Sequence, residues 1–452
     1  MVGLATLGLV LAFVPAAFGM PPVITRAAIL VVFTIAAWAF GFLPEPIVTL
    51  TFFLLANLLE VSTPATIFSG FQSTAWWLVF GGAITGIAVQ TSGLGSRWAR
   101  VLFARAGATY RNYVTAAALA SLGLAFVMPS TTGRILLLMP LVLALAERLG
   151  LKPGSNGHQG LVMTVAAGSY MPPATILPAN IPNSVLLGAA ESLYGVKLTY
   201  GPYLLLHFPI LGLLKTAILI ALVCQLYPEA GPLLLPLAED EDDAAARRRQ
   251  RVLAVVLAAS LLLFATDVWH GISPAWISLW AGLVCLMPFA GVVSVKMFGE
   301  KMSLTPLVYV AGFLGLGAVV TETGLGKLLG GFLLRVSHVV PGDTAANVVT
   351  LAAIGAAIGA FTTLPGLPAV LSPLAADFSR ASGLPLLSVL MLQVVVFSTV
   401  ILPYQAPPMM IAMHLGGVPI QAASKLCLSL AAITVVVLLP LDYLWWKLLG
   451  YV

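Results

Sequence analysis

Charge is what this sequence has least of. Only 8% of its 452 residues are Asp, Glu, Lys or Arg, and 60% are hydrophobic. A soluble domain carries roughly 25% charged residues. A soluble chain this apolar could not cover its own surface, so the excess must face lipid. Long polar stretches are also lacking: the longest, about Pro228 to Arg251, is only a loop, and no soluble domain fits. Cysteine is scarce. Cys224, Cys285 and Cys427 all sit inside apolar runs, at spacings that suit neither a metal site nor a disulfide framework, and read as buried, inert thiols. The apolar runs are many and long. They exclude a single anchor helix, and also a transmembrane barrel, whose strands alternate every second residue. The net charge of +5 sits in a few loops and reads as topology rather than as a footprint for nucleic acid. No Lys or Arg precedes Arg26, so residues 1–20 lack the basic start of a signal peptide and read as a retained first span.

What is present is a series of runs near the roughly 20 apolar residues that a helix needs to cross a bilayer. The expected spans lie near 2–19, 26–43, 46–60, 74–92, 160–192 and 203–227, then 252–268, 274–290, 303–321, 385–415 and 420–447. Residues 93–110 and 324–338 mix Arg or Lys with large apolar side chains, as a helix lying on the membrane surface does. Residues 112–149 are interrupted at Pro129-Ser130-Thr131-Thr132-Gly133, and 345–380 at Thr362-Thr363-Leu364-Pro365-Gly366. Each reads as a re-entrant hairpin. The spans 160–192 and 385–415 are themselves broken, at Leu177 to Asn183 and Leu402 to Pro408. The expected fold is an all-α polytopic membrane protein with eleven transmembrane spans and two re-entrant hairpins.

With the amino terminus in the cytoplasm, thirteen of the twenty-one Lys and Arg fall inside. That bias favours this orientation, in a cell inner membrane. The two halves also match. Gly81, Gly86, Gly93, Leu94 and Gly95 align with Gly312, Gly317, Gly324, Leu325 and Gly326 at an offset of 231, and Gly133, Pro140, Gly150 and Leu151 with Gly366, Pro373, Gly383 and Leu384 at an offset of 233. The chain divides into an extra first span (1–25), a first repeat (26–227), a charged cytoplasmic linker (228–251) and a second repeat (252–452). Five spans per repeat is an odd number, so the second copy is inverted. Inverted repeats place a transport site where discontinuous helices meet.

Helix breaks in lipid expose backbone groups that protein or a water-filled cavity must satisfy. Half-helix amino ends suit an anion and carboxyl ends a cation. The first hairpin tip offers Ser130, Thr131 and Thr132, and the first broken span Asn180 and Asn183; simple capping of the breaks is the alternative role. Arg134 lies four residues past Ser130, about 6 Å along a helical arm, and roughly 22 Å from the arm's end, too far to reach the interface. An intramembrane Arg is costly and usually functional. It could pair with an anionic substrate, act as a tethered cation where a metal ion would otherwise sit, or pair with a carbonyl or with Glu147 or Glu191. The second half offers Thr362, Thr363, Tyr404 and Gln405, with His414 as a candidate for proton coupling. No nucleophile triad, metal-ligand helix or phosphate loop is present, and no enzyme activity or cofactor is expected.

Two repeats, an extra first span, a surface helix before each hairpin and two broken spans resemble the divalent anion:sodium symporter family. The resemblance covers nearly the whole chain. The family's hairpin tips read Ser-Asn-Thr with a Pro ten residues after the Ser; here Ser130-Thr131-Thr132 and Pro140 keep that spacing. In the second hairpin the motif falls on Thr363-Leu364-Pro365, and the broken spans read Asn180-Ile181-Pro182-Asn183 and Gln405-Ala406-Pro407-Pro408-Met409. The resemblance implies a homodimer, elevator-type movement, and transport of a small anion such as a dicarboxylate or sulfate. It implies at most one sodium site, near Ser130, Thr132 and Asn183, because Leu364, Pro365 and Met409 replace the second set of oxygen-bearing side chains. A permease for arsenite-like solutes and a proton or cation antiporter are the alternatives of the same class. An intramembrane hydrolase is one of another class; it would need paired carboxylates or a Ser/His couple at the breaks.

Overall fold

The computed structural model describes residues 21–40, 43–107, 109–229, 244–337, 339–360 and 362–452. The expected first span at 2–19 and the middle of the charged linker fall outside the described residues. Among those residues the chain is helical, with no strand. The first series of main helices is α1 (Pro22–Phe40), α2 (Glu45–Leu58), α3 (Thr74–Ser92), α4 (Leu94–Ala104), α5 (Tyr110–Ala125), α6 (Thr131–Arg148), α7 (Asn156–Tyr170), α8 (Ile181–Tyr194) and α9 (Tyr200–Leu226). After the linker come α10 (Ala244–Ala265), α11 (Pro274–Leu286), α12 (Thr305–Glu322), α13 (Leu325–Val336), α14 (Thr344–Gly359), α15 (Ala375–Ser382), α16 (Leu386–Phe397), α17 (Pro407–Gly416) and α18 (Ile420–Leu448). Among the described residues α9, α12 and α18 are long and apolar enough to cross a membrane unaided.

Local chemistry sets the turns. Gly93 (φ 75°) ends α3, and the chain bends by 59° into α4; Gly324 (φ 78°) stands at the same place between α12 and α13. Only glycine adopts this left-handed conformation without a Cβ clash. Helix α4 then buries Leu94, Ala99 and Phe103 and exposes Trp98 and Val101, the two faces expected of a surface helix. Its Arg97 donates to Gln250 of α10 at 2.9 Å.

Close packing crosses between the two series. Helix α3 lies on α11, and α12 on α2. A Cβ added to Gly81 would stand 2.4 Å from the Ser278 backbone, and one added to Gly312 2.3 Å from the Thr49 side chain. Small residues allow such approach where lipid supplies no hydrophobic drive between helices. Helices α9 and α18 run antiparallel: Trp445 Nε1 donates to the Leu205 carbonyl at 3.0 Å near one end, and Tyr227 OH to the Ala422 carbonyl at 2.7 Å near the other. Each carries a π-helical segment, Phe208–Leu214 and Thr434–Leu438.

The breaks differ in detail from the sequence expectation. The first is longer: α7 stops at Tyr170 because Pro172 and Pro173 cannot donate to the preceding turn, and α8 resumes only at Ile181. The second starts earlier, at Ser398, and ends at Ala406. The arms after the hairpin tips differ too. Helix α6 runs through Pro140 unbroken. The corresponding stretch after Thr363 is cut into the short turns Leu364–Gly366, Leu367–Leu371 and Ser372–Leu374 before α15, since Pro365, Pro368 and Pro373 each remove a donor.

Candidate functional site

The tip joining α5 to α6 and the break between α7 and α8 are held together by one side chain. Arg134 is wholly buried. One terminal nitrogen donates to the carbonyls of Met128 and Ala179 (3.1 Å for the latter). The other donates to the Ser169 carbonyl at 2.7 Å, and to Thr131 Oγ1 and Asn180 Oδ1, each at 3.1 Å. Thr131 also donates to Asn180 Oδ1 at 2.7 Å, and Asn180 Nδ2 to the Tyr170 carbonyl at 2.9 Å. The acceptors follow from the fold. Ser169 lies in the last turn of α7, whose carbonyls have no intrahelical donor and carry the negative end of the helix dipole, while Met128 and Ala179 lie in the tip and the break, outside the helices.

No carboxylate takes part. Glu191 accepts from the Thr74 hydroxyl instead, and Glu147 is exposed. The guanidinium is therefore a fixed cation inside a cage of five oxygens, the type of ligand that a hard metal cation takes. Its Nε has no hydrogen-bond partner.

The sequence-chosen residues of the first half separate into groups. Thr131, Arg134 and Asn180 form one hydrogen-bonded cluster. Ser130 caps α6, accepting from the Gly133 amide at 3.0 Å, and Thr132 is half-buried beside it. Asn183 is buried in the first turn of α8; its Nδ2 donates back to the Ile176 carbonyl in the break at 2.7 Å, and its Oδ1 has no partner. No hydrogen bond joins Ser130, Thr132 and Asn183 to one another. Among the described residues no group of three His, Cys, Asp or Glu is placed to hold a metal ion.

At the second break Gln405 does what several residues do at the first. Its Nε2 donates to the Gly359 carbonyl at 2.6 Å, and its Oε1 accepts from the amides of Ile401 (2.8 Å) and Leu402 (2.9 Å). Tyr404 OH donates to the Ala360 carbonyl at 2.7 Å, and Thr363 shares a hydrogen bond with Tyr309 OH at 3.1 Å. Thr362 is buried beside it. His414 lies apart, on the exposed face of α17. Against this break is a cavity of about 390 Å³ whose wall includes Ala352, Ala356, Val395 and Leu439, with Thr399 and Gln405 among its few polar residues.

One contributor is not apparent from the sequence motifs. Lys215 of α9 is wholly buried, and its Nζ donates to the Ser398 carbonyl at 2.7 Å, just past the end of α16. The carboxyl ends of α7 and α16 are thus both met by a buried cation, Arg134 at Ser169 and Lys215 at Ser398. The available signal was a lone Lys within an apolar span.

Three likenesses bear on this arrangement. A Cupriavidus necator protein described as a membrane protein is 24% identical over 400 residues, covering 85% of this chain and 77% of its own. The crystal structure of the Alcanivorax borkumensis YdaH transporter covers 85% of this chain and 87% of its own at a TM-score of 0.55 and 18% identity. The structure of Neisseria gonorrhoeae MtrF, from a class of antimetabolite efflux pumps, covers 98% and 97% at a TM-score of 0.56 and 16% identity. At such identities the two structures speak to the fold, that of helical membrane transporters. The sodium:sulfate symporter transmembrane region matches residues 1–452, so the chain belongs to this family of membrane transporters.

Proposed function

We propose that the chain is a secondary active transporter moving a small anion, such as a dicarboxylate or sulfate, across the cell inner membrane. It works as two inverted repeats totalling eleven spans and two re-entrant hairpins, with a cytoplasmic amino terminus, elevator-type movement and assembly as a homodimer. The common element order on either side of the linker, and the antiparallel run of α9 and α18, support the inverted repeat. The observation that carries the reading is the Arg134 cage: in a sodium:sulfate symporter family, a permanent cation sits among five oxygens at helix ends. Guanidinium does not lose its proton in the working range. Transport therefore depends only weakly on sodium, with at most one ion, near Ser130, Thr132 and Asn183, and is driven by protons or by anion exchange.

Uptake of labelled sulfate and succinate into proteoliposomes, with sodium replaced by choline at fixed pH and membrane potential, tests this. Uptake should persist in choline; steep, sigmoidal activation by sodium would overturn it. One observation favours a bulkier anion with an apolar body, namely the aliphatic wall of the cavity at the second break. Stronger competition by benzoate-like or alkyl carboxylates than by sulfate would single out that version.

A further inference from the structure

Between α9 and α18 lies a group of buried ionisable side chains that the Arg134 cage does not use. Lys215 follows directly on the π-segment of α9, and Asp442 stands four residues beyond that of α18. Such segments are rare and frequent at functional sites. Lys215 Nζ donates to the Ser398 carbonyl at 2.7 Å and lies 3.4 Å from Ser398 Oγ. Asp442 is buried too, and its Oδ1 has no hydrogen-bond partner. The two carry an electrostatic interaction but no ion pair, since the ammonium is spent on the backbone instead. His207, the residue directly before the π-segment, is also buried with both ring nitrogens unpartnered; its ring lies 5.7 Å from that of Trp446.

A carboxylate stripped of water with a free oxygen is costly unless it carries a proton or an ammonium comes to it. The geometry shows the ammonium elsewhere. We propose that Lys215 and Asp442 form the binding site for the coupling proton, one proton per transport cycle. With Lys215 on the Ser398 carbonyl, Asp442 holds the proton as a carboxylic acid. When Lys215 leaves Ser398 and pairs with Asp442, that proton departs to water and a carboxylate–ammonium pair remains. No electrons move, and the charge of the pair falls by one. The other ionisable groups on the elements packed against this part of α9 are His158 and Tyr170 of α7, Tyr110, Arg111 and Tyr113 of α5, and Lys425, Cys427, Tyr443 and Lys447 of α18. The charged group that acts most directly on Lys215 is Asp442. Tyr203, which meets the His207 ring edge-on, donates its own proton to the Ala174 carbonyl.

This inference rests on the transport reading but is separable from it. Infrared difference spectra of the purified protein between acid and alkaline buffer should show a protonated carboxyl band that is absent from Asp442→Asn, whatever solute is carried. In proteoliposomes loaded with labelled sulfate or succinate, membrane potential clamped, a one-unit inward-acid or outward-acid gradient should drive about tenfold accumulation through one coupled proton. Asp442→Asn should lose that accumulation while keeping counterflow, in which no net proton need cross. Lys215→Gln should lose the accumulation as well, and Lys215→Arg should retain part of the response. If neither anion moves in wild type, the substrate reading fails and the infrared band decides the proton site alone. Loss of counterflow in step with accumulation, an unchanged band in Asp442→Asn, or a full gradient response in that variant would overturn the proposal.

Discussion

Replacing Arg134 by Ala leaves the carbonyls of Met128, Ser169 and Ala179 in a buried space with no donor. An unsatisfied buried acceptor costs roughly 1–3 kcal/mol, so the three together cost on the order of 5 kcal/mol. That is a large part of the 5–15 kcal/mol that typically separates folded from unfolded protein. Thr131 and Asn180 still bond to each other, so the cage keeps its shape and gains a vacancy lined by oxygens. A sodium ion fits such a set of hard ligands. At a sodium concentration about a hundredfold above its dissociation constant, binding returns roughly 2.7 kcal/mol, about half of the loss. The expected result is that Arg134→Ala melts several degrees lower than wild type in choline chloride and recovers part of that in sodium chloride at equal ionic strength. Wild type, its cage already filled, should gain clearly less from the exchange than the variant does. Arg134→Ser serves as a second variant should the first express poorly. Equal melting of either variant in sodium and choline would refute the stand-in role, as would sodium stabilising wild type to the same degree.

Two further outcomes test other parts of the structure. In a cysteine-free background, a membrane-impermeant thiol reagent added from outside should label a cysteine placed at Lys197 and not one at Arg249; the reverse would overturn the topology drawn from the Lys and Arg distribution. Gly81→Val should cost at least about 2 kcal/mol by overpacking against Ser278 and cut the yield of folded protein, whereas Gly86→Val, where an added Cβ meets nothing within 4 Å, should be tolerated. Equal yields would mean that the α3–α11 contact is not close.

The fold was legible where single residues dictate backbone behaviour. Gly93 and Gly324 mark the two turns into α4 and α13, and the prolines mark the breaks. The clustering of Thr131, Arg134 and Asn180 followed from the same logic, because carbonyls freed by a break need donors and the tip is the nearest source. Boundaries were less legible. The first break was expected from Leu177, but Pro172-Pro173 ends α7 earlier, and the chain fills the interval with a 3₁₀ turn that no periodicity announces. Asn183 looked equivalent to Asn180 by spacing. Its amide turns instead to the Ile176 carbonyl, a partner created by that same turn.

Lys215 and Asp442 were out of reach for a more specific reason. Sequence gives depth along a span directly, at about 1.5 Å per residue, and both residues could be placed on their spans. It gives the facing partner only if the helical register is unbroken from a known anchor. Helix α9 passes through the π-segment Phe208–Leu214 immediately before Lys215, and α18 through Thr434–Leu438 before Asp442. Each π turn adds one residue to the α register and so rotates everything beyond it by about 100°. A regular helix carried on from Tyr200 would turn Lys215 away from the break at Ser398 by that angle. Pro209 and Pro440 contribute to these irregularities, since neither can donate to the turn before it. The same two prolines that appear in sequence as defects of apolar spans thus bring an ammonium and a carboxyl into one buried space, which is why the charges of this nearly uncharged protein lie where spacing alone does not put them.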